Sequence, residues 1–211
     1  MIDNIQVLAH SAVRIESGKT LYFDPYLIEN DFNDADVIFL THDHYDHFSP
    51  EDFAKVTREN TPVVAPATIV AHLLDEGIER DRIIAVKPGD ALQVEGIPVE
   101  VVPSYNTNKK FHPQANGWVG YVVTVDGIRC YVAGDTDINP DVLQVKCDIA
   151  MVPVGGTYTT TAEEAAQLVN RIRPAIAVPT HFGAVTGTKE DGKAFARFVD
   201  PEIQVVQKLT Y

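Results

Sequence analysis

Short apolar runs alternate with polar turns along this chain, and most of the runs have the length of β-strands. In the first third, segments 5–10, 12–16 and 20–23 are rich in β-branched or alternating residues, and Gly18 supplies a turn. A continuous apolar run at 36–41 is typical of a strand that is buried on both faces. The chain is therefore predicted to begin as a set of strands.

Helical signals follow this first group of strands. Ser49 followed by Pro50 is typical of a helix start, because serine caps the first turn and proline fits its first position. Further along, Thr161 and Glu164 could form a capping box ahead of apolar residues at helical spacing. The remaining pattern predicts strands at 62–65, 82–86, 90–95, 97–103, 120–125, 128–133, 149–152, 175–178 and 203–206, and helices at 68–76, 161–171 and 189–198.

Length and composition place the chain among ordinary globular proteins. Its 211 residues are 45 % hydrophobic and 22 % charged, and no linker or repeat divides them, so we expect one α/β domain over 1–211. No apolar run approaches the roughly 20 residues needed to cross a bilayer, and the first residues lack a basic signal-peptide region. We therefore expect a cytoplasmic protein with no membrane partner. Of the two cysteines, Cys130 is predicted to be a core residue, and no disulfide is expected.

The formal charge is −13, from 30 acidic and 17 basic residues. Such a field repels phosphate backbones, so we expect no nucleic acid partner. It does not exclude a small anionic substrate, because bound metal ions can reverse the local sign of the field. We expect a small-molecule substrate, and the sequence leaves the oligomeric state open.

Three of the seven histidines fall within the segment His42-Asp43-His44-Tyr45-Asp46-His47, directly behind the predicted buried strand. Imidazole and carboxylate are good ligands for zinc and for other first-row divalent metals. A polar surface turn that happens to be rich in histidine is the alternative interpretation. The concentration of three imidazoles at one strand end favours a metal site.

Two further apolar strands end in polar residues of the same kind. The strand at 130–133 runs into Asp135, and the strand at 175–178 runs into His181. Either residue alone could be an ordinary turn aspartate or a satisfied histidine. Because α/β folds gather ligands along one rim of a sheet, both become candidates once the histidine-rich segment is taken as a metal site. The predicted ligands are His42, His44, Asp46, His47, Asp135 and His181.

On these motifs the chain resembles the metallo-β-lactamase superfamily, whose HxHxDH signature reads here as residues 42–47. Residues 134–136 and 179–183 match the later ligand motifs of that family in order and separation. The resemblance implies a four-layer αββα sandwich with metals along one edge. A narrower resemblance, to the small single-domain hydrolases that include ascorbate-6-phosphate lactonase-like proteins, rests on His10-Ser11-Ala12, Asp24-Pro25-Tyr26 and Gly155-Gly156-Thr157.

The resemblance also implies a role for each ligand and a cofactor. We expect two divalent metal ions, zinc first, with manganese or iron as alternatives. The implied assignment gives His42 and His44 to the first ion, Asp46, His47 and His181 to the second, and makes Asp135 a bridge between them.

The chain departs from the family pattern at one ligand of the first ion. The family places a further histidine just after the strand predicted at 97–103, where this chain has residues 104–109 without a histidine. Three alternatives remain open at this point. His112 could reach the site, Asn106 or water could replace the missing ligand, or the first site is weak or empty.

The implied reaction is hydrolysis. Two metals about 3.5–4 Å apart share a water and lower its pKa toward neutrality, so that a metal-bound hydroxide can attack a small ester, lactone or phosphate-containing substrate. Asp46 is predicted to orient the nucleophile as well as to bind metal. His10 and Asp24 are candidates for holding ligand imidazoles, with an ordinary structural role as the alternative for each.

Other residues and other functions stay open. A phosphodiesterase or nuclease on the same fold, a mononuclear iron redox enzyme and a non-catalytic metal-binding protein are the competing functions. His72 is expected to be an ordinary residue on a helix face. Next to the site, we expect either substrate-facing or merely solvated and packing roles for Lys109, Lys110, Phe111, Trp118 and Tyr158.

Overall fold

The computed structural model describes residues 1–209, so positions 210 and 211 of the predicted domain lie outside the described residues. Within them the chain forms thirteen strands and four α-helices. The strands are β1 (Ile5–Ala9), β2 (Ala12–Ser17), β3 (Lys19–Phe23), β4 (Val37–Phe39), β5 (Val63–Pro66), β6 (Ile83–Val86), β7 (Ala91–Val94), β8 (Ile97–Pro103), β9 (Val119–Val125), β10 (Ile128–Val132), β11 (Ile149–Pro153), β12 (Ile176–Thr180) and β13 (Gln204–Val205). The helices are α1 (Pro50–Val56), α2 (Val70–Asp75), α3 (Ala162–Ile172) and α4 (Lys189–Phe198).

The strands form two mixed sheets that follow each other along the chain. The first has the order β1-β2-β3-β4-β5-β6, antiparallel from β1 to β3 and parallel from β3 to β6. The second has the order β13-β12-β11-β10-β9-β8-β7, antiparallel from β7 to β10 and parallel from β10 to β13. Because parallel neighbours end at the same edge, each sheet gathers several carboxyl ends on one side.

The apolar pattern of β4 shows how the layers pack. Val37 and Phe39 belong to the core between the two sheets, whereas Ile38 and Leu40 belong to a second cluster on the outer face of the first sheet. Burial on both faces explains why this run is continuously apolar rather than alternating. The result is the predicted αββα sandwich. The outer layers are contributed by Phe53 and Val56 of α1, Leu73 of α2, Leu168 and Val169 of α3, and Phe195 of α4.

The helix starts predicted at Ser49 and Thr161 are present, most strand ends shift by one residue, and the helix predicted at 68–76 shortens to Val70–Asp75 behind a 3-10 turn at Ala67–Ile69. The Ser49 hydroxyl accepts from the backbone N–H of Asp52, and Thr161 forms the predicted capping box with Glu164. The strand predicted at 36–41 stops at Phe39. One reason is that the N–H of Thr41 donates to a side chain, Asp24 Oδ1 at 2.8 Å, instead of to a neighbouring strand. The strand predicted at 203–206 shortens to Gln204–Val205.

Two hydrogen bonds tie the sheets together near the carboxyl end of β4. The Tyr121 hydroxyl, on the second sheet, donates to the Leu40 carbonyl oxygen at 2.7 Å. The N–H of Val119 donates to the Thr41 carbonyl oxygen at 3.2 Å. Burial raises the pKa of Tyr121 well above its ordinary value, so the hydroxyl stays a neutral donor. These bonds hold the end of β4 against the second sheet.

Within residues 1–209, no helix is both long enough and apolar enough to cross a membrane. Cys130 is buried in β10 and Cys147 is half-buried, and both are free thiols, as predicted. Burial raises the pKa of each thiol to about 12. Neither cysteine belongs to a group of side chains that could hold a metal ion.

The buried thiols should therefore be unreactive in the folded protein. The thiolate is the nucleophile, and a pKa of about 12 leaves only about one thiol in 10,000 ionised at pH 8. We expect native protein at pH 8 to react very slowly with a disulfide reagent, and protein unfolded in guanidinium chloride to titrate two thiols at once. Rapid modification of Cys130 in the native state would contradict this account of the core.

Candidate metal centre

Three histidine side chains form a first group at the edge where β4 ends. His42 Nε2 and His44 Nδ1 lie 3.1 Å apart, as the alternation of the HxH motif allows. His112 supplies a third nitrogen, and one ligand atom from each of the three lies within 4.8 Å of the others. Of the alternatives for the missing family histidine, the geometry therefore supports His112, which arrives from the loop between β8 and β9.

Asn106 holds His112 in place and is not itself a ligand in this arrangement. Its Oδ1 accepts from the backbone N–H of His112 at 3.0 Å and lies 3.1 Å from His112 Nδ1. Because an amide oxygen can only accept, Nδ1 carries the proton and Nε2 keeps its lone pair. Asn106 Nδ2 donates to the Tyr158 carbonyl oxygen at 2.9 Å, which anchors the amide on the other side.

A second group surrounds Asp46. Its Oδ2 lies 3.8 Å from His47 Nε2 and 3.7 Å from His181 Nε2. The three side chains are buried, although they come from the histidine-rich loop and from the end of β12. His10 joins them, so that four ligand atoms lie within 4.8 Å of one another.

Asp135 lies between the two groups. Its Oδ1 is 3.2 Å from His47 Nε2, and its Oδ2 is 3.2 Å from His112 Nε2 and 3.0 Å from His181 Nε2. A residue that touches a histidine of each group has the position that a bridging ligand requires. The preceding Gly134 has φ +63°, and a Cβ there would lie 2.9 Å from the Val119 carbonyl oxygen, so the tight approach to Asp135 needs glycine.

Several buried ligand atoms have no hydrogen-bond partner within the described residues. They are the Nε2 atoms of His47, His112 and His181 and the Oδ1 of Asp135. Each such atom costs about 1–3 kcal/mol if nothing satisfies it. Ligands about 2.1 Å from one ion lie about 3.0–3.4 Å apart at octahedral to tetrahedral angles, which is close to the spacings seen here. The donor set therefore fits divalent cations.

The pKa directions of the clustered side chains also fit a site for divalent cations. Burial lowers the pKa of His42 well below its ordinary value, which keeps the ring neutral and able to coordinate. Burial also lowers the pKa of His47, but Asp135 and Asp24 on either side raise it well above that value. Burial raises the pKa of Asp135, yet His181 and His47 hold it well below its usual range. A divalent cation held here would take the place of the proton on His47.

Asp24 and Thr41 fix the orientation of two ligand rings. Asp24 Oδ2 lies 2.8 Å from His47 Nδ1, and the Thr41 hydroxyl donates to the same oxygen at 2.6 Å. Because its proton is used there, the Thr41 oxygen accepts from His42 Nδ1 at 3.0 Å. Both rings then present Nε2 to the cluster, which is the imidazole-holding role proposed for Asp24 from the sequence.

His10 has a different contact from the one considered for it. Its Nε2 lies 3.2 Å from Asp46 Oδ2, so its side-chain hydrogen bond is to a carboxylate, while its ring packs beside that of His181 with centroids 4.0 Å apart. Burial lowers the pKa of His10 to about 4, and the ring is neutral at pH 7. Burial raises the pKa of Asp46, but the bond from His10 and the charges of His47 and His181 bring it to about 2. An ionised carboxylate only accepts, so His10 Nε2–H is the donor.

The backbone at the site is held in an uncommon conformation. His10, Asp24 and His181 have φ of 45°, 45° and 58°, in the left-handed region that non-glycine residues rarely occupy. Such residues cost about 1–3 kcal/mol each and persist where the surroundings fix them. Here the His181 N–H donates to the His10 carbonyl oxygen at 2.9 Å. Gly155 is required beside them, since a Cβ there would lie 2.3 Å from the His181 carbonyl oxygen.

A cleft of about 220 Å³ opens onto the ligands. Phe111 and Tyr158, two of the candidate wall residues, line it together with Tyr45 and Val185. A wider groove of about 370 Å³ elsewhere contains none of the predicted site residues, and the guanidinium of Arg129 on its wall is paired with Glu100.

The other candidates near the site have different roles. Lys109 Nζ pairs with Asp137 Oδ1 at 2.5 Å, and neither Lys109 nor Lys110 lines the cleft. The Trp118 ring packs against the first histidine group, with centroids 4.9 Å from His42 and 4.8 Å from His44, and does not line the cleft. His72 lies on α2 as expected.

Comparison with known proteins gives one family. A family model described as "Beta-lactamase superfamily domain" matches residues 4–181 of this chain. The UPF0173 metal-dependent hydrolase of Pyrococcus horikoshii is 28 % identical over 96 % of this chain and 94 % of its own length. A UPF0173 metal-dependent hydrolase of Thermoplasma acidophilum is 29 % identical over 92 % of this chain and 90 % of its own.

Solved structures agree. The crystal structure of a proposed metal-dependent hydrolase from Parabacteroides distasonis superposes with a TM-score of 0.81 at 30 % identity, covering 98 % of this chain and 93 % of that one. Igni18, a metallo hydrolase from Ignicoccus hospitalis, has a TM-score of 0.75 at 22 % identity, with 96 % and 93 % covered, and supports the fold.

The position of Trp118, the one tryptophan in the sequence, predicts a signal specific to the first histidine group. Adding cobalt(II) to metal-free protein should quench Trp118 emission as this group fills. His112→Ala should remove the high-affinity part of that quenching, whereas His181→Ala, on the far side of Asp135, should retain it. An equal loss of quenching in both variants would contradict the division into two groups. The Trp118→Phe variant, which lacks the emitting side chain, gives the background signal.

Proposed function

This chain belongs to the metallo-β-lactamase superfamily, and from that premise we propose that it is a two-metal hydrolase of a small ester, lactone or phosphate-containing molecule. Its relatives named above are metal-dependent hydrolases. The observation that carries the proposal is the set of unpartnered, buried Nε2 atoms that surround Asp135 beneath an open cleft. Four of the candidate ligand residues also line this cleft, namely His44, Asp46, His112 and Asp135, as expected of a catalytic metal site and not of a closed structural one.

Seven side chains would hold the two ions. When bound, a pair of divalent ions lowers the pKa of a shared water from about 16 toward neutrality and stabilises negative charge that develops on the substrate. His42, His44 and His112 would hold the first ion, Asp46, His47 and His181 the second, and Asp135 both.

The chain's own groups contribute positioning and proton handling. Asp46 lines the cleft, and its carboxylate is positioned to accept a hydrogen bond from the attacking water. The N–H of His10 at 3.2 Å restrains the rotation of that carboxylate. Asp24 and Thr41 hold His47 and His42 in the tautomer that leaves Nε2 free.

The size of the cleft and the charge of the chain support a small substrate. A volume of about 220 Å³ is below the 300–1,000 Å³ common for drug-sized ligands. A net charge of −13 opposes binding of a long polyanion. The same paired donor set would also serve a nuclease, so the size of the cleft and the charge of the chain are what favour a small substrate.

Metal analysis tests the number and kind of ions. We expect protein saturated with zinc or manganese to retain two ions per chain, and His112→Ala to retain one. His72→Ala, which removes a histidine outside the two groups, should still retain two. One iron per chain would favour redox chemistry instead, and substoichiometric metal in the wild type would favour a non-catalytic protein.

Replacing Asp46 tests the proposed orientation of the nucleophile. Asp46→Asn keeps the shape of the side chain but removes its charge, so we expect turnover to fall by at least about 100-fold. The far-UV circular dichroism spectrum should stay close to that of the wild type, because the asparagine side chain has the same shape and its oxygen can still accept the hydrogen bond from His10. Unchanged turnover at full metal occupancy would overturn the role assigned to Asp46.

A further inference from the structure

The walls of the cleft carry no charge of their own. Apart from the candidate metal ligands, the described residues that line it are Tyr45, Phe111, Tyr158 and Val185. Tyr45 is 65 % exposed and Phe111 is 38 % exposed. Large aromatic side chains left open beside a site are typical of surfaces that bind apolar partners.

The basic residues of the neighbouring loop do not reach the cleft. The Lys109 ammonium is held by the buried carboxylate of Asp137 at 2.5 Å and by Asn108 Oδ1 at 3.0 Å. Among the described lining residues there is no lysine or arginine. Sites that recognise phosphate normally supply such cations or several backbone N–H donors. The lining therefore suits an uncharged substrate better than one with a phosphate group.

One wall is a preformed aromatic corner. The Phe111 and Tyr158 rings meet edge to face, with centroids 4.7 Å apart and planes at 88°. Phe111 directly precedes His112, and Asn106 bonds both His112 and the Tyr158 carbonyl oxygen. The corner is thus fixed to the segment that supplies a ligand of the first group.

Tyr45 adds a further aromatic side chain to the lining of the same cleft. Tyr45 lies between His44 and Asp46 in the sequence, and its ring meets that of Tyr26 edge to face at 6.1 Å. A group bound against these rings would share the cleft with the candidate ligands His44, Asp46, His112 and Asp135. Binding by the aromatic walls and positioning for reaction are therefore the same event.

We propose that Tyr45, Phe111 and Tyr158 form an aromatic clamp that selects an uncharged carboxylic ester or lactone carrying a single aromatic ring. This inference rests on the proposed hydrolase function. A cleft of about 220 Å³ is smaller than the 300–1,000 Å³ common for drug-sized ligands, which limits the substrate to about one ring beside the reacting ester. In the reaction the acyl C–O bond breaks, the acyl carbon gains the hydroxyl of a water molecule, and the other proton of that water leaves on the alcohol.

Substrate preference is the first test, on zinc-loaded wild-type protein. Phenyl acetate and methyl benzoate each have the expected size, methyl acetate lacks the ring, and phenyl phosphate carries the charge. We expect kcat/KM for the two aromatic esters to exceed that for methyl acetate, corrected for intrinsic reactivity, by about tenfold or more. Phenyl phosphate should be the poorer aromatic substrate. A higher kcat/KM for phenyl phosphate than for the esters would overturn the proposal.

Variants of the clamp are the second test. Phe111→Ala and Tyr158→Ala should each lower the ratio of phenyl acetate to methyl acetate hydrolysis by about fivefold or more. Phe111→Leu, which keeps apolar bulk and leaves the loop backbone undisturbed, should lower the ratio too, with two metals retained. Phe198→Ala is the matched control, because Phe198 is a half-exposed phenylalanine on α4 that does not line the cleft. A ratio unchanged in all three clamp variants would refute the clamp.

Binding without turnover separates the two proposals. Calorimetric titration of zinc-loaded Asp46→Asn protein should show tighter binding of methyl benzoate than of methyl acetate, and Phe111→Leu in the same background should remove the difference. If the wild type hydrolyses none of the esters but this selective binding is found, the hydrolase proposal fails and the clamp stands. If esters are hydrolysed without selective binding, the clamp fails and the hydrolase proposal stands.

Discussion

The structure depends on one arrangement, a buried carboxylate surrounded by imidazole nitrogens that it does not satisfy with ordinary hydrogen bonds. Asp135 is 4 % exposed and has ring nitrogens of three histidines within 3.2 Å. Such a cluster is stable only if protons or cations occupy the space between its lone pairs. The two sheets, the crossing hydrogen bond from Tyr121 and the glycine before Asp135 all serve to bring these groups to one edge.

The groups behind the ligands explain why the arrangement is rigid. The Asp24 carboxylate accepts a hydrogen bond from the Thr41 hydroxyl and lies 2.8 Å from His47 Nδ1. Both Asp24 and His10 have a positive φ, a backbone conformation that residues other than glycine rarely adopt. Buried polar contacts fix these conformations, because releasing any one of them would leave an unpaired polar group in the core. Six further non-glycine residues of the described chain also have positive φ, among them Arg173 at the end of α3, so the site is distinguished by having three such residues at or beside its candidate ligands.

Local sequence patterns were sufficient to predict most of the strands and helices, but they predicted only part of the candidate site. Strand β4 and the α3 cap could be predicted because burial on two faces and the Thr161–Glu164 pair leave direct marks in the sequence. His112 could not be placed, since its position depends on a loop whose path is fixed by Asn106 and not by any periodicity. His10 did carry a signal, a histidine at the end of an apolar strand, which is the pattern that identified Asp135 and His181. For Trp118 both a substrate-facing and a packing role were open, and its ring packs against His42 and His44 without lining the cleft, a distinction that spacing along the chain does not encode.

The double attachment of Asn106 has a consequence for how this protein can diversify. One end of the amide fixes His112 and the other fixes the backbone of Tyr158, so cation affinity and the shape of the recognition wall share a single side chain. Substitutions in the wall at Tyr158 that admit a new substrate would also disturb the position of His112 unless the Asn106 amide were kept. Laboratory evolution toward altered selectivity should therefore proceed most easily through Tyr45 and Val185, which are not linked to this amide by any bond described above.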